Sequence, residues 1–183
     1  MGILTEKENV FVIIGSASKN SVNQKLVDRL AELSNDVFNL TIYNDLKTLP
    51  HFDPELSADR PPQIIAEFRN AIDKADGVLI CTPEYAMGVP GTLKNALDWT
   101  VSSGEFSGKP VALITASTSG LKAHESLLDT LQIIDAKINE ETQYLISFIQ
   151  VKLNSENRIT DEQTMTDLQK LIGAFEEQME NVN

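Results

Sequence analysis

Residues 10–26, VFVIIGSASKNSVNQKL, place an apolar run, a hydroxyl-rich loop and a helical pattern in direct succession. The run VFVII is continuously apolar and rich in β-branched residues, which is typical of a strand buried on both faces of a parallel sheet. Gly15 permits a tight turn after it. Beyond the loop, apolar residues recur at helical spacing: Val22, Leu26, Val27, Leu30 and Leu33. The stretch therefore predicts the strand, loop and helix that begin an α/β fold.

The same alternation continues along the chain. Four further strands are predicted, at Val37–Tyr43, Gly77–Thr82, Pro110–Ser117 and Tyr144–Val151. Four further helices are predicted, over Ile64–Ile72, Pro90–Thr100, Leu121–Ala136 and Met165–Met179. A proline-containing loop, residues 50–62, follows the second strand. Five strands alternating with five helices predict a doubly wound parallel sheet covered on both sides. Ligands of such sheets bind beyond the carboxyl ends of the strands, so the loops after strands one, three and four are expected to carry the chemistry.

Length and composition set the broad class. The 183 residues, 42% of them apolar, suit one domain, which we expect to span residues 1–183. The net charge of −12 argues against binding to nucleic acid or to anionic membranes. Residues 15–26 are a local exception, because they contain Lys19 and Lys25 and no carboxylate. This segment permits a phosphate ligand.

Several features are typical of a cytoplasmic protein. The start of the chain, MGILTEKENV, lacks the basic region and apolar run of a secretory signal. No apolar stretch approaches the roughly 18–20 residues that span a bilayer. Cys81 is the one cysteine, which excludes an intrachain disulfide and fits a reducing compartment.

The loop after the first strand, residues 15–23, is dense in hydroxyl and amide side chains and leads directly into a helix. Such side chains donate hydrogen bonds to phosphate oxygens, and the start of a helix adds free N–H groups and partial positive charge. The sequence lacks both the G-x-G-x-x-G fingerprint and the P-loop, which argues against a Rossmann dehydrogenase and an NTPase. Alternatively, Ser18 or Ser21 simply caps the helix.

The loop after the third strand begins the segment TPEYAMGVPGTLKNALDW, residues 82–99. Two prolines and two glycines within residues 83–91 indicate a stiff loop with special backbone angles. Such a loop presents backbone N–H and C=O groups to a flat heterocycle at little cost in ordering entropy. Tyr85 is expected to pack on a ring or to wall the pocket.

These two loops resemble motifs of the NADPH-dependent FMN reductase family. Residues 83–99 are similar to P-E-Y-N-x-x-x-P-G-x-L-K-N-A-x-D-W, and the first loop is similar to G-S-x-R-x-x-S-x-N-x-x-L. The resemblance covers nearly the whole chain. It implies a flavodoxin-like three-layer sandwich with a five-stranded parallel sheet in the order 2-1-3-4-5. It also implies an FMN flavoprotein that passes hydride from NADPH or NADH to a small-molecule acceptor such as a flavin, a quinone or an azo compound.

The resemblance also implies where the cofactor binds. The FMN phosphate would lie on Ser16, Ser18, Ser21 and Asn23, and the ring would lie against Pro83, Glu84, Tyr85, Ala86, Met87 and Gly88. Further flavin contacts are implied in the loop after the fourth strand, at Ser117, Thr118, Ser119 and Gly120, although a plain strand-to-helix turn explains that loop equally well. The flavin carries the chemistry, so no catalytic side chain and no metal are expected. Members of the family are commonly homodimers or homotetramers with subunits that meet near the flavin.

Two departures from the family pattern bear on cofactor binding. Ser18 replaces the arginine of the first loop, and Ala86 replaces the asparagine that follows P-E-Y. The first removes a charge-assisted partner for the phosphate, so weaker FMN binding is expected and the preference between NADPH and NADH stays open. A flavodoxin-type electron carrier and a non-catalytic member with weak FMN binding remain alternatives.

Other residues have structural explanations beside functional ones. Glu84 is a candidate brace for its loop, Trp99 is expected in the core or at a subunit interface, and Cys81 is expected to be buried and inert. Solvent-facing positions are expected for Lys94, Asn95, Asp98, His51 and His124. The two histidines have no neighbours at metal-ligand spacing.

Overall fold

A five-stranded parallel sheet forms the centre of the molecule. The computed structural model describes residues 6–18, 20–57, 60–154, 156 and 158–182. The strands are β1 (Glu8–Ile14), β2 (Phe38–Tyr43), β3 (Gly77–Thr82), β4 (Val111–Ser117) and β5 (Gln143–Ser147). They are ordered β2-β1-β3-β4-β5, and every neighbouring pair is parallel. The predicted flavodoxin-like sheet and its strand order are therefore confirmed.

Helices cover both faces of this sheet. They are α1 (Val22–Leu33), α2 (Pro54–Ser57), α3 (Gln63–Lys74), α4 (Gly91–Val101), α5 (Leu121–Ile133) and α6 (Glu162–Glu180). Buried residues of α1 and α6 form one apolar core, and those of α3, α4 and α5 form the other. Among the described residues, no helix is both long enough and apolar enough to cross a membrane.

The apolar run of β1 serves both cores. Successive side chains of a strand point to opposite faces, so Val10, Val12 and Ile14 enter the core under α1 and α6. Phe11 and Ile13 enter the other core. All five are buried. Burial on both faces explains why the run is continuous rather than alternating.

Two predicted elements end earlier than expected. The fifth strand, predicted to reach Val151, ends at Ser147, because Phe148 adopts a left-handed conformation with φ of 55° and a 3₁₀ turn follows it. The helix predicted to reach Ala136 ends at Ile133, and Asp135 has a φ of 59°. The predicted proline-rich loop contains the short helix α2, and a 3₁₀ turn precedes it.

Gly15 lets the end of β1 lie very close to the end of β3. Its N–H donates to the carbonyl of Cys81 at 2.8 Å. A Cβ atom at this position would lie 2.3 Å from Thr82 Oγ1 and 2.9 Å from Leu93 Cδ2. This close approach brings together the loops that follow the two strands.

We expect Gly15→Ala to lower the free energy of unfolding by about 2 kcal/mol, because the added methyl group must displace the end of β3. Urea denaturation measures the change. Gly91→Ala is the matched control, because a Cβ there meets nothing within 4 Å. Equal effects of the two substitutions would contradict the close-packing explanation.

Candidate functional site

Three loops meet at the carboxyl edge of the sheet: residues 15–21 after β1, residues 83–90 after β3 and residues 118–120 after β4. The hydroxyl groups of Ser16 and Tyr85 lie 3.1 Å apart and join the first loop to the second. The carboxylate of Glu84 accepts the N–H of Gly120 at 3.2 Å and joins the second loop to the third. The structure thus brings together the loops in which the site was predicted.

The first loop leaves backbone donors available to an anion. The Ser21 hydroxyl caps α1 by accepting the N–H of Gln24 at 3.1 Å. The N–H of Ser18 donates to Ser16 Oγ at 3.3 Å. Among the described residues, the N–H groups of Ser16, Ala17 and Val22 have no acceptor. Lys19, one of the two lysines of the segment that permits a phosphate ligand, lies outside the described residues. Free N–H groups beside the start of a helix are the features that bind phosphate.

Asn23 is directed at the sheet rather than into this loop. Its side chain is 3% exposed, and its amide nitrogen donates to the carbonyl of Ala116 in β4 at 3.1 Å. Its amide oxygen accepts from the thiol of Cys81 in β3 at 3.4 Å. The side chain therefore fixes α1 over the two strands. Cys81 is buried, as predicted, and burial raises the pKa of its thiol.

The loop after β3 contains a tight two-residue turn. Tyr85 and Gly88 exchange two backbone hydrogen bonds of 3.0 Å each. Between them, Ala86 and Met87 have φ angles of 49° and 60°. Two successive left-handed residues define a type I′ turn, for which asparagine followed by glycine is preferred. The N–H groups of Ala86 and Met87 have no acceptor within the described part of the chain. The turn thus presents two free donors at the carboxyl edge.

Glu84 braces the site through the start of α5. One carboxylate oxygen accepts the N–H groups of Lys122 at 2.9 Å and Ala123 at 3.0 Å, while the other accepts that of Gly120. A carboxylate at a helix N-terminus satisfies donors that have no partner in the helix and interacts favourably with the helix dipole. Of the two roles considered for Glu84, the structure places its carboxylate in the bracing one.

The loop after β4 is fixed to the end of β5. Ser147 Oγ donates to the carbonyl of Ser119 at 2.8 Å, and the N–H of Phe148 donates to the carbonyl of Thr118 at 3.1 Å. Gly120 has a φ of 89°, and a Cβ there would lie 2.8 Å from Leu145 Cδ1. Thr118 and Ser119 are exposed at this edge, and Ser117 is half-buried. Sequence reasoning gave Phe148 no role in this arrangement.

Asn95 and Trp99 of α4 hold the loop after β2. The Asn95 amide donates to the carbonyl of Pro50 at 3.0 Å and accepts the N–H of Phe52 at 2.8 Å. The indole of Trp99 donates to the same Pro50 carbonyl at 2.9 Å and is fully buried. Asn95 is thus half-buried and engaged with this loop rather than simply facing solvent, and a core position for Trp99 is confirmed. Lys94 is exposed and pairs with the half-buried Asp98.

His124 is buried, so its predicted surface position is wrong. The side chain is 7% exposed, with Nδ1 2.9 Å from Thr115 Oγ1 and Nε2 3.1 Å from Gln143 Oε1. Burial is the main cause that lowers the pKa of this histidine. The signal was available in the sequence, because Leu127 and Leu131 continue the same helical stripe. His51 is exposed, as predicted.

Comparison with known proteins places the chain among flavoenzymes. A family model described as NADPH-dependent FMN reductase matches residues 9–150. A quinone reductase of Pseudomonas putida is 33% identical over 138 residues, which cover 72% of this chain and 74% of that protein. A quinone reductase of Escherichia coli K12 is 28% identical and covers 98% of this chain and 99% of its own. The structure of FerB, a flavoenzyme NAD(P)H:(acceptor) oxidoreductase from Paracoccus denitrificans, matches with a TM-score of 0.76 at 29% identity, covering 95% of this chain and 98% of that one.

We expect Glu84→Ala to lower the free energy of unfolding by about 2 kcal/mol, because three backbone donors lose a charged acceptor. Thermal or urea denaturation measures the loss. Glu125→Ala is the matched control. It also removes one carboxylate, but from an exposed ion pair with Lys122 within α5, so it should change stability little. An equal loss of unfolding free energy in the two variants would show that the hydrogen bonds of Glu84 do not contribute specifically to stability.

Replacing Ala86 with the asparagine of the family pattern should stabilise the turn. Alanine is disfavoured in the left-handed region that asparagine tolerates, so Ala86→Asn is expected to raise the free energy of unfolding by about 0.5–1 kcal/mol. Ala66→Asn, on the exposed face of α3, should instead lower it by about 0.5 kcal/mol. A loss of stability in Ala86→Asn would show that the left-handed backbone angles at residue 86 do not limit the stability of the protein.

Proposed function

The chain belongs to the NADPH-dependent FMN reductase family, and we propose that it transfers two electrons from NADPH or NADH, through FMN, to a quinone. It is an FMN-dependent NAD(P)H oxidoreductase. The observation that carries the proposal is the carboxyl edge of the sheet, where a donor-rich loop and a rigid turn with two free N–H groups lie side by side. The proposed acceptor class is supported by relatives that are named quinone reductases.

The residues at this edge fit FMN. We propose that Ser16, Ser18, Ser21 and the free N–H groups of the first loop hold the phosphate. The turn at Tyr85–Gly88 would hold the ring, with the N–H groups of Ala86 and Met87 as donors to its polar edge. Residues 117–120 would contact the ring from the neighbouring strand. Asn23 and Glu84 belong to this site as positioning residues, since their side chains are engaged with the sheet and with α5.

FMN, when bound, supplies the hydride chemistry. In the overall reaction NAD(P)H gives up a hydride, and a quinone takes up those two electrons and two protons to become a hydroquinone, the second proton coming from solvent. The chain contributes placement rather than acid–base catalysis. The Ser16–Tyr85 contact fixes the phosphate loop against the ring-binding turn, and Glu84 fixes that turn against the loop after β4.

Three further properties form part of the proposal. We propose a homodimer or homotetramer, which the exposure of Tyr85 and Met87 at the proposed site supports, because a second subunit would cover these apolar side chains. A cytoplasmic location suits an enzyme that draws on reduced nicotinamide. One FMN-binding domain spanning residues 1–183 is supported by the packing of the helices on one sheet.

The visible absorption spectrum of the purified protein tests the proposal. After incubation with FMN and removal of the excess, we expect a flavin band that NADPH or NADH bleaches without air and that 1,4-naphthoquinone restores. A flavin band that bleaches only with a partner reductase would identify an electron carrier instead. A protein that retains no FMN and oxidises neither nicotinamide with naphthoquinone would overturn the proposal.

Restoring the arginine of the family pattern should strengthen phosphate binding. Ser18→Arg is expected to tighten FMN binding about tenfold through a charge-assisted contact. The affinity for riboflavin, which has no phosphate, should stay unchanged. Ser126→Arg adds the same charge on the exposed face of α5 and controls for general attraction to an acidic protein. Fluorescence titration measures the affinities of the wild type and both variants for FMN and for riboflavin, and an equal gain for riboflavin would contradict a phosphate contact at residue 18.

A further inference from the structure

Phe148 has a conformation that phenylalanine rarely adopts. Its φ and ψ are 55° and 36°, in the left-handed region. Four non-glycine residues of the described chain have positive φ, and three of them, Ala86, Met87 and Phe148, lie at the carboxyl edge of the sheet. Strained backbone of this kind persists where surrounding contacts enforce it, and it clusters at functional sites. Its position therefore calls for a functional explanation.

Two hydrogen bonds hold Phe148 beside the proposed flavin site. Its N–H donates to the carbonyl of Thr118, and its carbonyl accepts the N–H of Val151; both distances are 3.1 Å. Ser147, the preceding residue, donates its hydroxyl to Ser119 at 2.8 Å. Thr118 and Ser119 belong to the loop proposed to contact the flavin ring. Phe148 is thus fixed one strand away from that loop.

Phe148 and Val151 are both apolar and exposed. Phe148 is 63% exposed, and Val151, whose N–H donates to the Phe148 carbonyl, is 80% exposed. Glu84 is engaged with the start of α5, and Lys122 pairs with Glu125 at 2.8 Å. Lys152 pairs with Asp161 at 3.0 Å. An exposed aromatic ring on a surface with paired charges suits a flat, uncharged ligand.

We propose that Phe148 is the residue against which the electron acceptor packs, and that it selects uncharged aromatic acceptors such as two-ring quinones. The inference rests on the proposed function and adds a specificity-determining residue to it. The hydrogen bonds to Thr118 and Val151 fix the backbone that carries the exposed ring beside the loop of residues 118–120. Stacking there retains a planar acceptor, while a small hydrophilic acceptor gains nothing from the ring.

The test compares Phe148→Asn with Phe148→Tyr in the FMN-loaded enzyme. Asparagine tolerates the left-handed backbone and removes the ring, while tyrosine keeps the ring. Phe148→Asn is expected to raise the KM for 1,4-naphthoquinone about tenfold and to leave the KM for ferricyanide within about twofold. Phe148→Tyr should leave the KM for 1,4-naphthoquinone at its wild-type value. Ile133→Ser, which alters a side chain 82% exposed at the far end of α5, is the matched control.

A binding measurement gives a readout that does not depend on turnover. Calorimetric titration of the oxidised enzyme with 1,4-naphthoquinone, without nicotinamide, should show the same loss of affinity in Phe148→Asn and none in Ile133→Ser. FMN affinity and sedimentation behaviour are measured on the same samples.

Three results would overturn the inference while leaving the proposed function intact. The first is a wild-type KM and affinity for naphthoquinone in Phe148→Asn. The second is a loss of FMN from that variant, which would assign the ring to the cofactor. The third is dissociation into smaller species, which would assign it to a subunit contact. A wild-type protein that fails to oxidise NADPH or NADH would overturn the proposed function itself.

Discussion

The candidate site depends on the hydrogen bonds that the carboxylate of Glu84 accepts. It comes from the loop after β3 and accepts N–H groups of Gly120, Lys122 and Ala123, at the start of the helix after β4. A charged acceptor at a helix N-terminus satisfies donors that the helix cannot satisfy itself. The same contact sets the spacing between the two loops proposed to contact the flavin ring. Fold stability and site geometry therefore share one side chain.

The strands and the parallel sheet could be predicted from the sequence, because burial on both faces constrains the residues of a strand. A strand buried on both faces has to be continuously apolar, and this identified β1, β3 and β4 and hence the parallel sheet. Side-chain direction could not be predicted in the same way. Asn23 lies in the first loop motif yet points into the sheet, and Asn95 lies in the second motif yet holds Pro50 and Phe52. In both cases tertiary contacts decide the direction, and a short motif does not encode them.

The two departures from the family pattern have different physical consequences. Ser18 affects the ligand, because a hydroxyl replaces a fixed positive charge where a phosphate is proposed to bind. Ala86 affects the protein, because it occupies a left-handed position that asparagine tolerates better. Its backbone N–H, the group proposed to face the ring, is the same for either side chain. The backbone donors proposed to bind the flavin are therefore unaffected, and the two changes are expected to alter binding strength and the stability of the turn.

Backbone amide NMR during titration with FMN tests the proposed cofactor site, because it identifies the binding site residue by residue. The largest shifts are expected at Ser16, Ala17, Val22, Ala86 and Met87, whose N–H groups have no acceptor among the described residues. Small shifts are expected in the groove between Lys137 and Gln178, on another part of the surface. Shifts concentrated in that groove, with Ala86 and Met87 unchanged, would contradict FMN binding at the carboxyl edge of the sheet.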